Sequence, residues 1–355
     1  MVQFNVNLEE KCVLVTGAAG FIGSNLVHKL FKEIKSVKII GVDSLSDYYD
    51  VGIKHDRLSK IKVLGCDWKF IQGSIADKAL VEQIFNEYKP DVVVNFAAQT
   101  GVRYSISHPD SYIESNVIGF YNILEACRNH TVEHLVYASS SSIYGCNQKI
   151  PYSTDDKADT PVSLYAATKK SNELMAHAYS KLYNIPSTAL RFFTVYGPAG
   201  RPDMAYFGFT NTLREGKKIK IFNYGNCQRD FTYIDDIVEG VFRVLQHAPE
   251  AVTDEEGGMP AAPFKVYNIG NSSPVKLLDF ITILQEELIA AHVLPADFDF
   301  ELHKELVPMQ DADMVATYAD TTPLEQDFGY SPSTPLREGL KVFAQWYAHY
   351  YGICE

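Results

Sequence analysis

No stretch of about 18 uninterrupted apolar residues occurs in this 355-residue chain, so a membrane-spanning helix is not expected. The opening residues, MVQFNVNLEEK, lack the basic region and apolar core of a secretory signal. Six cysteines are present (Cys12, Cys66, Cys127, Cys146, Cys227 and Cys354), with no CxxC pair and no regular spacing. That pattern excludes a disulfide framework and reads as reduced thiols in a cytoplasmic protein. Clustered Cys or His of the kind that holds zinc is also missing, so no metal is expected. Positive charge is in short supply: 32 Lys and Arg face 44 Asp and Glu, a formal net charge of −12. A surface of that sign disfavours nucleic acid and anionic membranes as partners. It leaves room for a small anionic substrate, because a few cations inside a cleft outweigh a diffuse negative exterior.

What is present is ordinary globular material, 46% apolar and 21% charged, in a chain long enough to bury a substantial core. The first half alternates short apolar runs with helical patterns. Residues 11–16 (KCVLVT), 37–43 (VKIIGVD), 67–72, 91–97 and 135–139 read as strands. Near-continuous runs such as VLV and VVV suit strands covered on both faces, hence a parallel sheet. Between them, residues 21–32 place Ile22, Leu26, Val27 and Leu30 at helical spacing, and 79–88 and 115–128 behave alike. This order predicts a doubly wound α/β domain. Past residue 190 the pattern loosens. Residues 233–246 read as a helix, 265–270 as a strand, 336–347 as a helix, and the acidic 248–263 as a surface excursion. The expected division is a cofactor domain of residues 1–190 with about 233–270, and a smaller α/β substrate lobe of about 191–232 with 271–355.

Residues 13–23 read VLVTGAAGFIG: a strand, a GxxGxxG turn at Gly17, Gly20 and Gly23, and a helix. Glycines permit a tight turn and close approach of a pyrophosphate, while the helix start offers unpaired N–H groups. The next strand ends in Asp43, 20 residues past Gly23. A carboxylate there can accept both adenosine ribose hydroxyls and repels a 2′-phosphate, which selects NAD over NADP. Tyr165 and Lys169 stand four residues apart on a predicted helix and share one face. A neighbouring ammonium favours the phenolate of a tyrosine. A strand runs into Ser140, Ser141 and Ser142, and serines at a strand's carboxyl end project into the ligand crevice of a doubly wound sheet.

Together GxxGxxG, the strand-end serines and YxxxK resemble the short-chain dehydrogenase/reductase family, in its extended branch acting on nucleotide sugars. The likeness extends over nearly the whole chain, through NFAAQ (95–99), SNVIG (115–119), RDFTYIDD (229–236) and ATYAD (316–320). It implies a Rossmann domain with bound NAD, with Ser140, Tyr165 and Lys169 as catalytic residues. Phe21, Ile22, Ala97 and Asn116 are implied as cofactor contacts beside Gly17, Gly20, Gly23 and Asp43. Dehydratases and decarboxylases of that branch carry acids where this chain has Ser141 and Ser142, which leaves the simpler oxidation and return of 4-epimerases. Three segments, AAQTGVRYSISHPDSY (97–112), RFFTVYGPAGRPDM (191–204) and YGNCQRDFTYIDD (224–236), look like UDP-glucuronate 4-epimerases, which make UDP-galacturonate for surface polysaccharides and pectin. Related readings are an epimerase for UDP-galactose or an N-acetylated sugar, or a UDP-glucuronate decarboxylase; a non-catalytic NAD-binding regulator is the reading from another class.

By the same resemblance Thr194 with Ser141 and Ser142 accommodates the C5 carboxylate, and Arg201 and Arg229 attend the pyrophosphate. Each arginine also reads as a surface ion pair, and Arg103 as either a site residue or a loop-ordering one. Departures from the family pattern are Gly208 in place of a basic residue, Ala199 in place of a bulkier one, and QDAD at 310–313. A homodimer is implied, packed through helices near 115–128 and 165–183, where Leu174, Met175 and Tyr179 suit a dimer face or a core equally.

Overall fold

A strand covered on both faces must be apolar on both, and the seven principal strands of this protein show how its sequence meets that demand. The computed structural model describes residues 4–252, 261–309 and 316–353. The strands are β1 (Cys12–Thr16), β2 (Lys38–Asp43), β3 (Trp68–Gln72), β4 (Val92–Asn95), β5 (His134–Ser140), β6 (Ser187–Phe192) and β7 (Phe264–Ile269). They form one sheet, all parallel, in the order β7-β6-β5-β4-β1-β2-β3. Successive side chains alternate between faces. Val13 and Val15 therefore join the layer of Leu26, Val27 and Leu30, from the helix Phe21–Glu33. Cys12 and Leu14 join the other layer with Phe85, Phe120 and Leu124. The doubly wound parallel sheet expected from the sequence is the fold observed.

Strand order reverses between β1 and β4, and in an open α/β sheet the crevice outside the strand ends at that switch is where ligands bind. Beyond the main sheet, short strands join the two later stretches of chain. Thr194–Tyr196 pairs with Phe231–Tyr233, Ile219–Ile221 with Lys304–Leu306, and Gln228–Arg229 lies between Val275–Lys276 and Ala316–Thr317. Residues 253–260 of the acidic excursion, the 310–313 segment and Cys354 lie outside the described residues.

Strand β6 is an element that the sequence pattern does not announce. Its polar residues are buried with partners: Ser187 against Ser180, Thr188 against His134, and Arg191 against Glu173. The helices Val51–Lys62 and Leu277–Ala290 also escape the sequence reading. The predicted helix over 115–128 begins instead as a π-helical turn, Ile113–Ile118, and continues as Gly119–Asn129. Such insertions collect at functional sites.

Arg191 and Glu173 form a paired fork, Nε to Oε1 at 2.8 Å and Nη2 to Oε2 at 2.9 Å, with both side chains 3% exposed. Ser139 donates to Oε1 at 2.7 Å, and Arg191 donates to the Tyr144 hydroxyl at 2.9 Å. Burial alone disfavours the Glu173 carboxylate; the guanidinium outweighs it and holds the group below the ordinary carboxylate range. A buried charge left without its partner is strongly destabilising. Glu173→Gln is expected to lower unfolding stability by about 3 kcal/mol, measured by denaturant titration. The double replacement Glu173→Leu with Arg191→Met should cost less than either single change. An unchanged midpoint for Glu173→Gln would remove the pair from its structural role.

Candidate active site

Three glycines make the turn between β1 and the helix Phe21–Glu33. Gly17 adopts φ +70°, and a Cβ on it would lie 2.7 Å from the Ala97 backbone nitrogen. A Cβ on Gly20 or Gly23 would stand 2.8 Å or 2.2 Å from the Gly17 carbonyl oxygen. No side chain fits at any of the three. Gly20, Phe21, Ile22 and Gly23 line a cavity of about 450 Å³. The helix thus presents its first, unpaired N–H groups and the positive end of its dipole to that space. Asp43, at the end of β2, accepts from the Ala19 N–H at 3.1 Å and the Leu45 N–H at 2.9 Å, and lines the same cavity. Cradle, helix start and strand-end carboxylate fit NAD.

Deeper in the crevice, β5 delivers Ser139 and Ser140, and a turn of 3-10 helix, Ser141–Tyr144, carries the other serines. Ser140 caps that turn by accepting from the Ser142 N–H at 3.2 Å. Buried Ile143 and Tyr144 anchor it from below. Opposite stands the helix Leu164–Tyr183, whose N-cap Ser163 accepts from the Ala166 N–H at 3.1 Å. Tyr165 and Lys169 rise from one face of it into the cavity.

The electrostatics differ from the simplest expectation. Burial pushes the Tyr165 phenol above its usual value, while a hydrogen bond with Ser140 and the charge of Arg201 pull it back. Lys169, one helical turn further on, is bonded to backbone. The lysine Nζ donates to the Ala138 carbonyl at 2.9 Å, and burial drops its pKa from 10.5 to about 8. Arg201 is closed on Asp203, Nε to Oδ1 at 3.0 Å and Nη2 to Oδ2 at 2.5 Å. Tyr48 donates to the same carboxylate at 3.1 Å.

Most residues singled out from the sequence meet in this one cavity: Gly17, Gly20, Phe21, Ile22, Gly23, Asp43, Ala97, Ser140, Ser141, Ser142, Tyr165, Lys169, Thr194 and Arg201. Asn116 does not line it; Ser115 does. The Asn116 side chain accepts from the Gln99 N–H at 2.8 Å and donates to the Gln99 carbonyl and to Thr168, both at 3.0 Å. It braces a lining residue from behind. Arg103, over the Phe222 ring, and Arg229, donating to the Gln228 carbonyl at 2.8 Å, also stand outside the lining. Of the departures, Ala199 adopts φ +51°, and a Cβ on Gly208 would meet only the Pro202 carbonyl oxygen, at 3.9 Å. Tyr48 and Lys54 line the cavity without having been singled out. Lys54 is buried and donates to the Ser46 carbonyl at 2.8 Å. Its place on a helix just past β2 was the only signal. Among the lining residues, three cations (Lys54, Lys169 and Arg201) accompany one carboxylate, Asp43.

Residues 13–270 match the NAD dependent epimerase/dehydratase family. This chain belongs to that family. Protein CapI of Staphylococcus aureus is 46% identical to it over 344 residues, 96% of this chain and 99% of that protein. A probable UDP-glucuronate 4-epimerase of Rhizobium meliloti is 42% identical, across 95% of this chain and 97% of its own length. Among solved structures, the UDP-glucuronic acid 4-epimerase from Bacillus cereus, in complex with UDP-glucuronic acid and NAD, superposes with a TM-score of 0.81 at 30% identity. That match covers 96% of this chain and all of the other. Membership in the NAD dependent epimerase/dehydratase family agrees with the extended short-chain resemblance, with an NAD cofactor and with catalysis as the function.

Gly23→Ala places a methyl group 2.2 Å from the Gly17 carbonyl oxygen and is expected to abolish NAD binding by calorimetry. The lysine sets a pH dependence in the cofactor-free protein. Between pH 8 and 10.5 the unfolded chain still holds the proton that native Lys169 has released, so rising pH favours the native state across that window. The gain is on the order of 3 kcal/mol. It should be present in wild type and missing in Lys169→Met when stability is measured at pH 7.5 and pH 10; equal gains in both proteins would refute the assignment.

Proposed function

We propose that this protein inverts C4 of a UDP-hexuronate, interconverting UDP-glucuronate and UDP-galacturonate. The observation that carries the reading is the group of side chains that shares the cavity with Tyr165. It is a set of neutral hydroxyls, Ser140, Ser141, Ser142 and Thr194, with Arg201 as the nearby cation and no carboxylate at 140–142. Elimination or chemistry at C5 needs an acid or base beside the sugar, and this wall offers none. The family membership and the relatives named above support the same substrate.

The cofactor domain of the proposal is residues 1–190 with 233–270, and the sugar lobe is 191–232 with 271–355. NAD, held at Gly17, Gly20, Phe21, Ile22, Gly23, Asp43 and Ala97, supplies the acceptor and donor of the C4 hydride. Tyr165, as phenolate, removes the proton of the 4-hydroxyl as C4 is oxidised, with Ser140 lining the same cavity to hold the reacting oxygen in reach. Lys169 supplies positive charge beneath that exchange. After the ketone turns its other face, Tyr165 returns the proton to the carbonyl oxygen. The pocket must grip the nucleotide while leaving the sugar free to turn, so binding energy belongs to the UDP end. Arg201, Arg229 and Arg103 are the candidates for that grip.

The same reading has the protein working in the cytoplasm, supplying a sugar donor for polysaccharide synthesis. No helix among the described residues is long and apolar enough to cross a membrane. It has the protein acting as a homodimer through the helices Gly119–Asn129 and Leu164–Tyr183. Leu174 and Leu182 are 62% and 70% exposed there, and Ile118 and Tyr121 are exposed as well, whereas Met175 and Tyr179 are half-buried against the core.

UDP-glucuronate incubated with the purified protein should give UDP-galacturonate, followed by NMR of the anomeric proton. A pentose product would mean decarboxylation, and turnover of UDP-galactose alone would mean a hexose epimerase. Tyr165→Phe is expected to lose at least about 10²-fold in turnover while keeping NAD affinity; near-normal activity would sink the mechanism.

A further inference from the structure

The helix Val51–Lys62 carries two buried cations, Lys54 and Arg57, three residues apart and therefore on one face. Arg57 belongs to none of the roles described so far, and its guanidinium is spent mainly on backbone. Nε and Nη2 both donate to the Ala199 carbonyl, at 2.9 and 2.6 Å, and Nη2 also to the Gly200 carbonyl at 2.9 Å. Nη1 donates to the Ala19 carbonyl and to the Tyr49 hydroxyl, at 2.9 and 2.8 Å. Ala19 lies inside the glycine turn. Ala199 and Gly200 immediately precede Arg201.

One planar group thus spans the turn that fits the pyrophosphate and the loop that presents Arg201. The loop needs such a hold. Ala199 sits in the left-handed region at φ +51°, where an L-residue is disfavoured. Gly200 is packed so closely that a Cβ would fall 1.7 Å from the Tyr206 hydroxyl. A second tie comes from the same side of the crevice, where Tyr48 donates to Asp203, the partner of Arg201. Residues 199–203 are therefore fastened from residues 48–57, between the cofactor cradle and the substrate side. A lysine at 57 would keep the charge but not the fork, since its single ammonium does not span three carbonyls.

We infer that Arg57 is a positioning residue: it locks the 199–203 loop, and with it Arg201, to the glycine turn, so that filling the turn with NAD stiffens the substrate side of the crevice. The inference rests on reading the crevice as shared by NAD and a UDP-sugar.

Its test is hydrogen exchange of free and NAD-loaded protein, in wild type, Arg57→Gln and Arg57→Lys. In wild type NAD should slow exchange in peptides covering 17–23 and in those covering 199–204. In both variants protection should persist at 17–23 and vanish at 199–204; Arg57→Lys keeps the test alive where Arg57→Gln fails to fold. Equal protection of 199–204 in wild type and variants would overturn the inference, as would its absence in wild type. A second measurement is calorimetric affinity for UDP-glucuronate in a Tyr165→Phe background loaded with NAD, where no turnover intervenes. Arg57→Gln should weaken binding on the order of tenfold. Adding it to Arg201→Gln should weaken binding no further, because Arg57 acts through Arg201; additive losses would overturn the inference. Failure of the Tyr165→Phe protein to bind UDP-glucuronate would refute the substrate reading alone, and the exchange pattern would still decide the role of Arg57.

Discussion

Three chain segments that bring chemistry to the crevice, the serine turn, the Tyr165 helix and the strand leading to Thr194, are tied to the buried pair of Arg191 and Glu173. Arg191 lies on β6, three residues before Thr194. Glu173 lies one turn past Lys169 on the helix that also carries Tyr165. Ser139, which donates to Glu173, precedes Ser140 on β5, and Tyr144, which accepts from Arg191, closes the serine turn. Desolvating two charges is costly, and apolar residues would fill the same space without that cost. What the ion pair adds is register. A forked, fully bonded pair has one arrangement, whereas a packed apolar cluster tolerates several. A sliding of the Tyr165 helix along the sheet would break the pair before it moved the phenol far from Ser140.

The glycine turn imposes a constraint of another kind, one of excluded volume. Gly17, Gly20 and Gly23 let backbone meet backbone, and their spacing follows directly from that contact. Spacing of this sort is legible in a linear sequence, as is the terminal Asp43 and the pairing of Tyr165 with Lys169 across one helical turn. The parallel sheet was legible too, because VLV and VVV have few other uses in a soluble chain. What escaped was whatever depends on a partner far along the chain. β6 looks irregular until Arg191, Thr188 and Ser187 are matched with groups on other elements. Asn116 and Ser115 are neighbours, and a π-helical turn decides which of them faces the cavity. Arg57 reaches carbonyls 38 and 142 residues away, and no local pattern announces such a reach.

The charge distribution resolves an apparent conflict in the composition. A chain with a formal charge of −12 has little attraction for an anion at long range, and solvent ions screen what remains beyond about 8 Å. Inside the crevice the balance reverses, with Lys54, Lys169 and Arg201 against Asp43. There the walls are largely apolar, so the same charges act more strongly than they would at the surface. Asp203 tempers Arg201 and keeps its guanidinium oriented rather than collapsed onto the phenol.

The neutral wall of the site suits a reaction that runs in both directions. On the proposed reaction the same pocket must receive C4 hydroxyls of opposite configuration and the ketone between them. A hydroxyl side chain donates or accepts by rotating about one bond. Ser140, Ser141, Ser142 and Thr194 can therefore meet either epimer without rebuilding the pocket. A carboxylate in their place would offer only acceptors when ionised and a proton when not. The first would repel an acidic sugar, and the second would give the ketone a route to products other than its epimer. On the proposed reaction, neutral hydroxyls at 140–142 and 194 leave Tyr165 as the group that exchanges the proton at C4, and the sugar's orientation decides the product.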